Sequence, residues 1–493
     1  MPDYFIILIV LLPLCAAPLC VLLSHRRLAW GAATLTCWAS FAIAVTLLHH
    51  VLVSGPVTYM FGGWPVPMGI GYKIDLFNAM MLVLVTFIAS VILPYAAQSI
   101  TIEIQKEKQS VFYAVVMLYL TGINGILATN DAFNLYVFLE IASLATYALI
   151  AMGKSRRSLM SSFEYLVLGT IGATFYLIGI GLLYAMTGTL NIDDLAVRIK
   201  SAHDIQPLQA AFAFITLGLA MKMALFPLHQ WLTNAYTYAP ACISALLAST
   251  STKISLYVLI RITFSLFGFD FAFNDIPFSA ITGCLGILAM LAGSLLAIYQ
   301  TDVKRMLAFS SVAQVGYIIL GFSFATETGL TASITHMIND SLAKGCLFLV
   351  AGALLWQKAD TSLYHLNGSA KQMPLCMAAM VIACASIVGI PFTGGFVSKW
   401  YFLFAAIRQD MWLSVVAILG STIMASIYCW KLVEAAYVKD TLHPISAAKP
   451  LPLSMVLSIW MFTGAVIYVG IDTSFSVYLA EKVAIHFIQG ATW

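Results

Sequence analysis

From Tyr4 onward the chain reads as one long apolar run after another, separated by short clusters of charge, glycine and proline. This pattern constrains the fold more than any motif, because about 20 apolar residues is the length that crosses a hydrocarbon core as a helix. Within lipid each backbone N–H and C=O must be satisfied inside its own segment, so such runs become helices rather than irregular chain. Of the 493 residues, 61% are hydrophobic and 9% are charged, whereas soluble domains carry roughly 25% charge. The expected fold is therefore an all-α polytopic membrane protein, a single membrane domain over 1–493 with no room for a sizeable soluble domain.

About fourteen spans are expected. They lie near 4–23, 29–53, 75–98, 110–128, 131–152, 158–186, 206–232, 240–263, 276–299, 304–323, 329–355, 374–404, 411–436 and 452–471. The first lacks the basic leader of a cleavable signal and reads as a membrane helix. The stretch "GPVTYMFGGWPVPMGIGYKI", residues 55–74, is rich in glycine and proline and reads as an external hairpin or loop cap. Lysine and arginine gather in alternate loops: Arg26 and Arg27; Lys106 and Lys108; Lys154, Arg156 and Arg157; Lys304 and Arg305; Lys358 and Lys371; Lys439 and Lys449. The other loops hold fewer: Lys73, Arg198, Lys200, Arg261, Arg408 and Lys482. The positive-inside rule makes the first set cytoplasmic and puts both termini outside.

The net charge of +3 includes no basic run suited to nucleic acid. Nine cysteines stand singly, without CxxC or Cys/His spacing, so neither a disulfide framework nor a metal site is expected. No cofactor motif appears.

Two of the longer spans are interrupted by proline, at Pro227 in "LFPLHQW" and at Pro391 in "GIPFTGGFVSKW". Proline lacks an N–H and clashes with the carbonyl four residues back, here Met223 and Ile387. Backbone opened in this way survives only where it is buried in protein or lines a cavity. Each break falls in the fourth member of a five-helix block, 110–265 and 276–436. An odd number of helices per block makes the second copy inverted, an arrangement found in many transporters.

Ionisable side chains within spans are costly, so each one is a functional candidate. Glu140 lies near the middle of the fifth span, with Tyr136, Ser143 and Tyr147 on its face at helical spacing. Lys222 precedes the first break by more than one turn. A lysine there loses its proton more readily as it is desolvated and holds it when a carboxylate stands beside it, the behaviour of a proton valve. Lys253 has Ser249, Thr250 and Tyr257 on its face. His336, Asp340 and Lys344 follow one another at i,i+4 steps in the eleventh span, where a structural salt bridge between Asp340 and Lys344 is the plain alternative. Lys399 follows the second break, near Gly394 and Gly395. His229 is either a relay or a partner for a freed carbonyl. Glu164, Lys431 and Glu434 lie toward cytoplasmic ends, where snorkelling or an i,i+3 pair explains them. Gln314 makes the tenth span polar without charge. The main series is Glu140, Lys222, Lys253, Lys344 and Lys399, and it suits protons better than a solute pocket.

The segments "NDAFNLYVFLEIASLATYALI", "GLAMKMALFPLHQWLTNAY", "APACISALLASTSTKISLYVLIR", "QTDVKRMLAFSSVAQVGYI" and "GIPFTGGFVSKW" resemble the antiporter-like subunits shared by Mrp-type cation/proton antiporters, respiratory complex I and membrane-bound hydrogenases. The wording of "FNLYVFLEI" is closest to the D subunit of Mrp-type antiporters. The resemblance implies fourteen helices, two inverted repeats and discontinuous helices seven and twelve. It also implies that Glu140 pairs with the broken-helix lysine Lys222, that Lys253 bridges, and that Lys344 and Lys399 serve the second half-channel, with His336 at a relay position. The tenth span has no acid to mirror Glu140, so the second carboxylate is expected from Asp340 or an adjoining subunit. Residues 473–493 are too short for the lateral helix that some relatives carry.

The functional expectation is a proton-translocating subunit of a multi-subunit Mrp-type Na+/H+ antiporter in a bacterial inner membrane, without cofactor or metal of its own. Its partners would be other membrane subunits. The alternatives are the proton-pumping membrane subunit of a complex I-like quinone reductase or hydrogenase, and a self-sufficient solute transporter. A membrane hydrolase lacks its GxSxG or HExxH motif.

Overall fold

Helices α1 (Pro2–Leu22) and α2 (Arg26–Ser54) form the first hairpin of the computed structural model, which describes residues 2–23, 25–200, 205–440 and 450–489. Lys449, assigned to a cytoplasmic loop, lies outside the described residues. The glycine- and proline-rich stretch after α2 is a hairpin, as expected: β1 (Val57–Met60) pairs antiparallel with β2 (Gly71–Ile74). Next comes α3 (Leu76–Glu103), capped at Asp75, whose side chain accepts from the Phe77 and Asn78 N–H groups while Asn78 answers the Asp75 N–H.

Helices α4 (Gln109–Ala128), α5 (Ala132–Ala151) and α6 (Arg156–Thr187) follow. A short amphipathic α7 (Ile192–Lys200) buries Ile192, Leu195 and Ile199. The seventh expected span is two helices, α8 (Ile205–Lys222) and α9 (Gln230–Tyr238). Unbroken α10 (Ala241–Arg261), α11 (Phe278–Ile298), α12 (Val303–Ser323) and α13 (Glu327–Lys358) come next, and a single turn, α14 (Leu363–Leu366), leads onward. The twelfth expected span is again two pieces, α15 (Pro374–Val388) and α16 (Gly394–Arg408). Helices α17 (Trp412–Val433), α18 (Leu453–Ile471) and α19 (Thr473–Gln489) complete the described chain.

Among the described residues, twelve helices are long and apolar enough to cross a membrane. The expected fourteen is reached only when each broken pair is counted as one crossing. Helices α10, α12 and α13 are sheathed almost wholly by other helices, so their charged groups face protein rather than lipid. By contrast α1, α2, α6 and α11 expose leucines such as Leu35, Leu166 and Leu295 along one side, the face expected toward acyl chains.

Three expectations are corrected. Lys304, read as a loop residue, is buried in the first turn of α12 and donates to the Ala239 carbonyl at 2.6 Å. Arg261, also read as a loop residue, ends α10 and grips Asp75 with two nitrogens, at 2.5 and 2.8 Å. Lys431 and Glu434 do not pair: Lys431 donates to the Ile298 carbonyl and Glu434 faces Lys439 at 3.7 Å. For the three cations, a backbone carbonyl or a buried carboxylate offers the partner. The segment after α18, read only as too short for a lateral helix, is helix α19, which packs along α13 and sets Phe487 against Phe77 and Arg261.

Candidate functional site

Two glycines place the first amine. Gly172 of α6 and Gly218 of α8 cross so closely that a Cβ on either would meet the other's carbonyl, at 3.0 and 2.4 Å. One turn beyond that crossing stands Lys222, the last residue of α8. The helix gives out there, five residues before Pro227, with Ala224 at a left-handed φ of 56°. The break thus begins at the lysine itself and not more than a turn beyond it. The Met221 carbonyl it leaves accepts from the Trp231 indole at 3.0 Å, and Trp231 stacks on Tyr165 with ring centroids 3.8 Å apart.

Lys222 is buried. Its ammonium lies 3.2 Å from Glu140 Oε1 and donates to Ser143 Oγ at 2.6 Å, both on α5. Ser143, on the same face as Glu140, therefore serves the lysine. Glu140 keeps 20% of its side chain exposed, so the pair is buried on the amine side and accessible on the acid side.

The second pair was not anticipated. Lys253 of α10 lies 2.6 Å from Asp340 Oδ2 of α13, with side-chain exposures of 1% and 2%. It also donates to the Ala248 carbonyl at 2.7 Å. Asp340 faces α10, so the same-helix bridge to Lys344 does not form. Lys344 turns to the Leu307 carbonyl of α12 at 3.0 Å.

His336, one turn before Asp340, joins three helices. Its two ring nitrogens lie 2.8 Å from Gln314 Oε1 of α12 and 2.8 Å from Ser398 Oγ of α16. The neighbour of Ser398 is Lys399, which donates to the Ile387 and Val388 carbonyls at 2.8 and 3.1 Å and to Thr422 at 3.2 Å, with the Tyr317 ring centroid 5.0 Å away. The Ile387 carbonyl is the one Pro391 was expected to free. Gly395 lets the two half-helices overlap, since a Cβ there would collide with the Ser386 backbone.

Other candidates stand apart. The His229 ring lies between Phe226 and Phe309, with centroids at 5.2 and 6.2 Å. Glu164 accepts from Asn234 of α9 at 2.7 Å and so ties α6 to the second half of the broken helix. Gln314 was read only as a polar residue; its role as a partner of His336 could be seen only once α12 and α13 were packed.

The arrangement is a series of buried amines, each held by a carboxylate, a hydroxyl or a backbone carbonyl, on two sheathed helices, α10 and α13, and two broken ones. Residues 129–425 match the family described as NADH:quinone oxidoreductase/Mrp antiporter, transmembrane. The chain belongs to this family. Among its antiporter-like relatives it is 41% identical to NADH-quinone oxidoreductase subunit N of Desulforudis audaxviator, over 92% of this chain and 90% of that one. It is 31% identical to the D subunit of a Na(+)/H(+) antiporter of Bacillus subtilis, over 81% and 80%. A chain of the Mrp complex from Dietzia sp. shares the fold with a TM-score of 0.90 at 24% identity, covering 99% of this chain and 98% of that one. The chain is thus a membrane antiporter-like subunit of Mrp or complex I type.

Proposed function

We propose that this chain carries protons within a multi-subunit membrane complex, by way of Glu140, Lys222, Lys253, Lys344 and Lys399. The observation that carries the reading is the Lys222–Glu140 pair at the start of a helix break. While Glu140 stands beside it, the Lys222 amine keeps its proton; when the acid is drawn away or neutralised, desolvation favours release. Lys253, held by Asp340, would receive the charge next. His336 and Ser398 would link the α13 groups to Lys399. The blocks 110–265 and 276–436 would serve as inverted repeats, with Asp340 at their junction rather than inside the second half-channel.

Lys222→Ala, in a complex that still assembles, should abolish proton-coupled transport in inverted vesicles read with a pH-sensitive dye. Undiminished transport would sink the reading.

The higher identity to subunit N favours a redox-driven quinone reductase as the host complex. A Na+/H+ antiporter of Mrp type is the second reading, supported by the D-subunit similarity and by the wording of "FNLYVFLEI". Purification of the native complex separates them: iron–sulfur subunits that co-purify indicate the first, and small membrane subunits alone indicate the second.

A further inference from the structure

Two cavities share one wall. A small one of about 30 Å³ lies beside Lys222, lined by Ile123 and Ile126 of α4, Leu139 and Ser143 of α5, and Ser251 and Ser255 of α10, among others. A larger one of about 360 Å³ lies farther along the same three helices, lined by Ile126, Leu135, Tyr257 and Arg261 together with Lys73 and Asp193. Successive helical turns contribute to each in order: Leu139 then Leu135 on α5, and Ser255 then Tyr257 and Arg261 on α10. Ile126 belongs to both linings and is 2% exposed.

The larger cavity is a polar vestibule. Lys73 and Asp193, 30% and 53% exposed, pair at 2.9 Å at its mouth, and Asn130 donates to Asp193. The Asp75–Arg261 pair lies in its wall, where the Tyr257 hydroxyl accepts from Arg261 at 3.2 Å. Its acids and bases are matched, so it attracts neither cation nor anion strongly, but it offers many partners for water. The small cavity has Ser143, Thr146, Ser251, Ser255 and Lys222 around it, and its volume suits two or three waters at about 10–15 Å³ each. Ile126 is the one side chain that lines both, and the apolar Leu139 and Ile254 stand with it in the wall of the small cavity. A dry constriction between two wet spaces is a gate that opens by wetting.

We propose that the vestibule is the outer aqueous access to Lys222, with Ile126 as its hydrophobic gate. "Outer" follows the positive-inside orientation, which puts the β1/β2 hairpin, Lys73 and Asp193 outside. The inference rests on the proton-carrying reading of Lys222 and adds where the proton leaves or enters. When the gate is wet, the amine exchanges protons with the outside; when it is dry, Lys222 communicates only with the interior of the protein.

The test follows a thiol in the small cavity. Ser255→Cys is made in the full complex, and silver ion is supplied to one side of sealed vesicles of known orientation. Protection of the introduced thiol from later alkylation is read by mass spectrometry of its peptide, which sets it apart from the native cysteines. Silver from outside should protect it, several-fold faster with Ile126→Ala and several-fold slower with Ile126→Trp. Protection from the cytoplasmic side alone, or a rate indifferent to both gate variants, would overturn the proposal. The side dependence with Ile126 unchanged decides the matter even if a gate variant fails to assemble. Thiol protection does not depend on transport, so its outcome is separable from that of Lys222→Ala.

Discussion

The Lys253 ammonium and the Asp340 carboxylate meet at 2.6 Å across the contact between α10 and α13, and both side chains are almost wholly buried. Removing one member of such a pair strands a charge at about 3–5 kcal/mol, whereas replacing both with apolar groups is often neutral. Asp340→Asn should therefore lower the thermal midpoint of the purified complex, and Asp340→Leu combined with Lys253→Met should recover it. Proton translocation should remain lost in both. A stable, active Asp340→Asn variant would show that the pair is neither needed for folding nor part of the path.

A second prediction concerns the outer end of α10. Burial by itself would raise the Asp75 pKa, but the Arg261 guanidinium and the Asn78 N–H hold the carboxyl below its usual range. A depressed carboxylate pKa contributes stability that is fully present above the ordinary value of about 4 and is lost as pH falls through the folded-state value. Asp75→Asn should thus lower the thermal midpoint uniformly between neutral and mildly acidic pH, with the difference narrowing only below the ordinary carboxylate range. A gap that widens on acidification would contradict the assignment.

How much of this was legible in the sequence differs from residue to residue. The spans were, because hydrocarbon admits few structures and hydropathy reports them directly. Glu140 and Lys222 were, as charges inside spans where charge is costly, while their pairing was what the family resemblance implied. The Pro391 break even named the Ile387 carbonyl that Lys399 takes up. Asp340 was not, since its i,i+4 spacing pointed to Lys344 on its own helix, and only the packing of α10 on α13 shows that Lys253 is nearer. Lys304 and Arg261 were misread for a related reason: a cation at the end of a span looks the same in sequence whether it meets water or a buried acceptor. Helix α19 escaped because its apolar face is too narrow for a spanning signal, although it buries Val477, Ala480, Val483 and Phe487.

The most direct test of the central claim is Lys222→Arg. Arginine keeps the positive charge and can still reach Glu140 and Ser143, but it does not give up its proton in proteins. If Lys222 is only one half of a structural ion pair, this variant should serve nearly as well as the native residue. If the amine must hold and release a proton, the complex should assemble with normal yield and fail to acidify inverted vesicles, as Lys222→Ala fails. The account predicts assembly without proton transport; assembly with undiminished transport would contradict it.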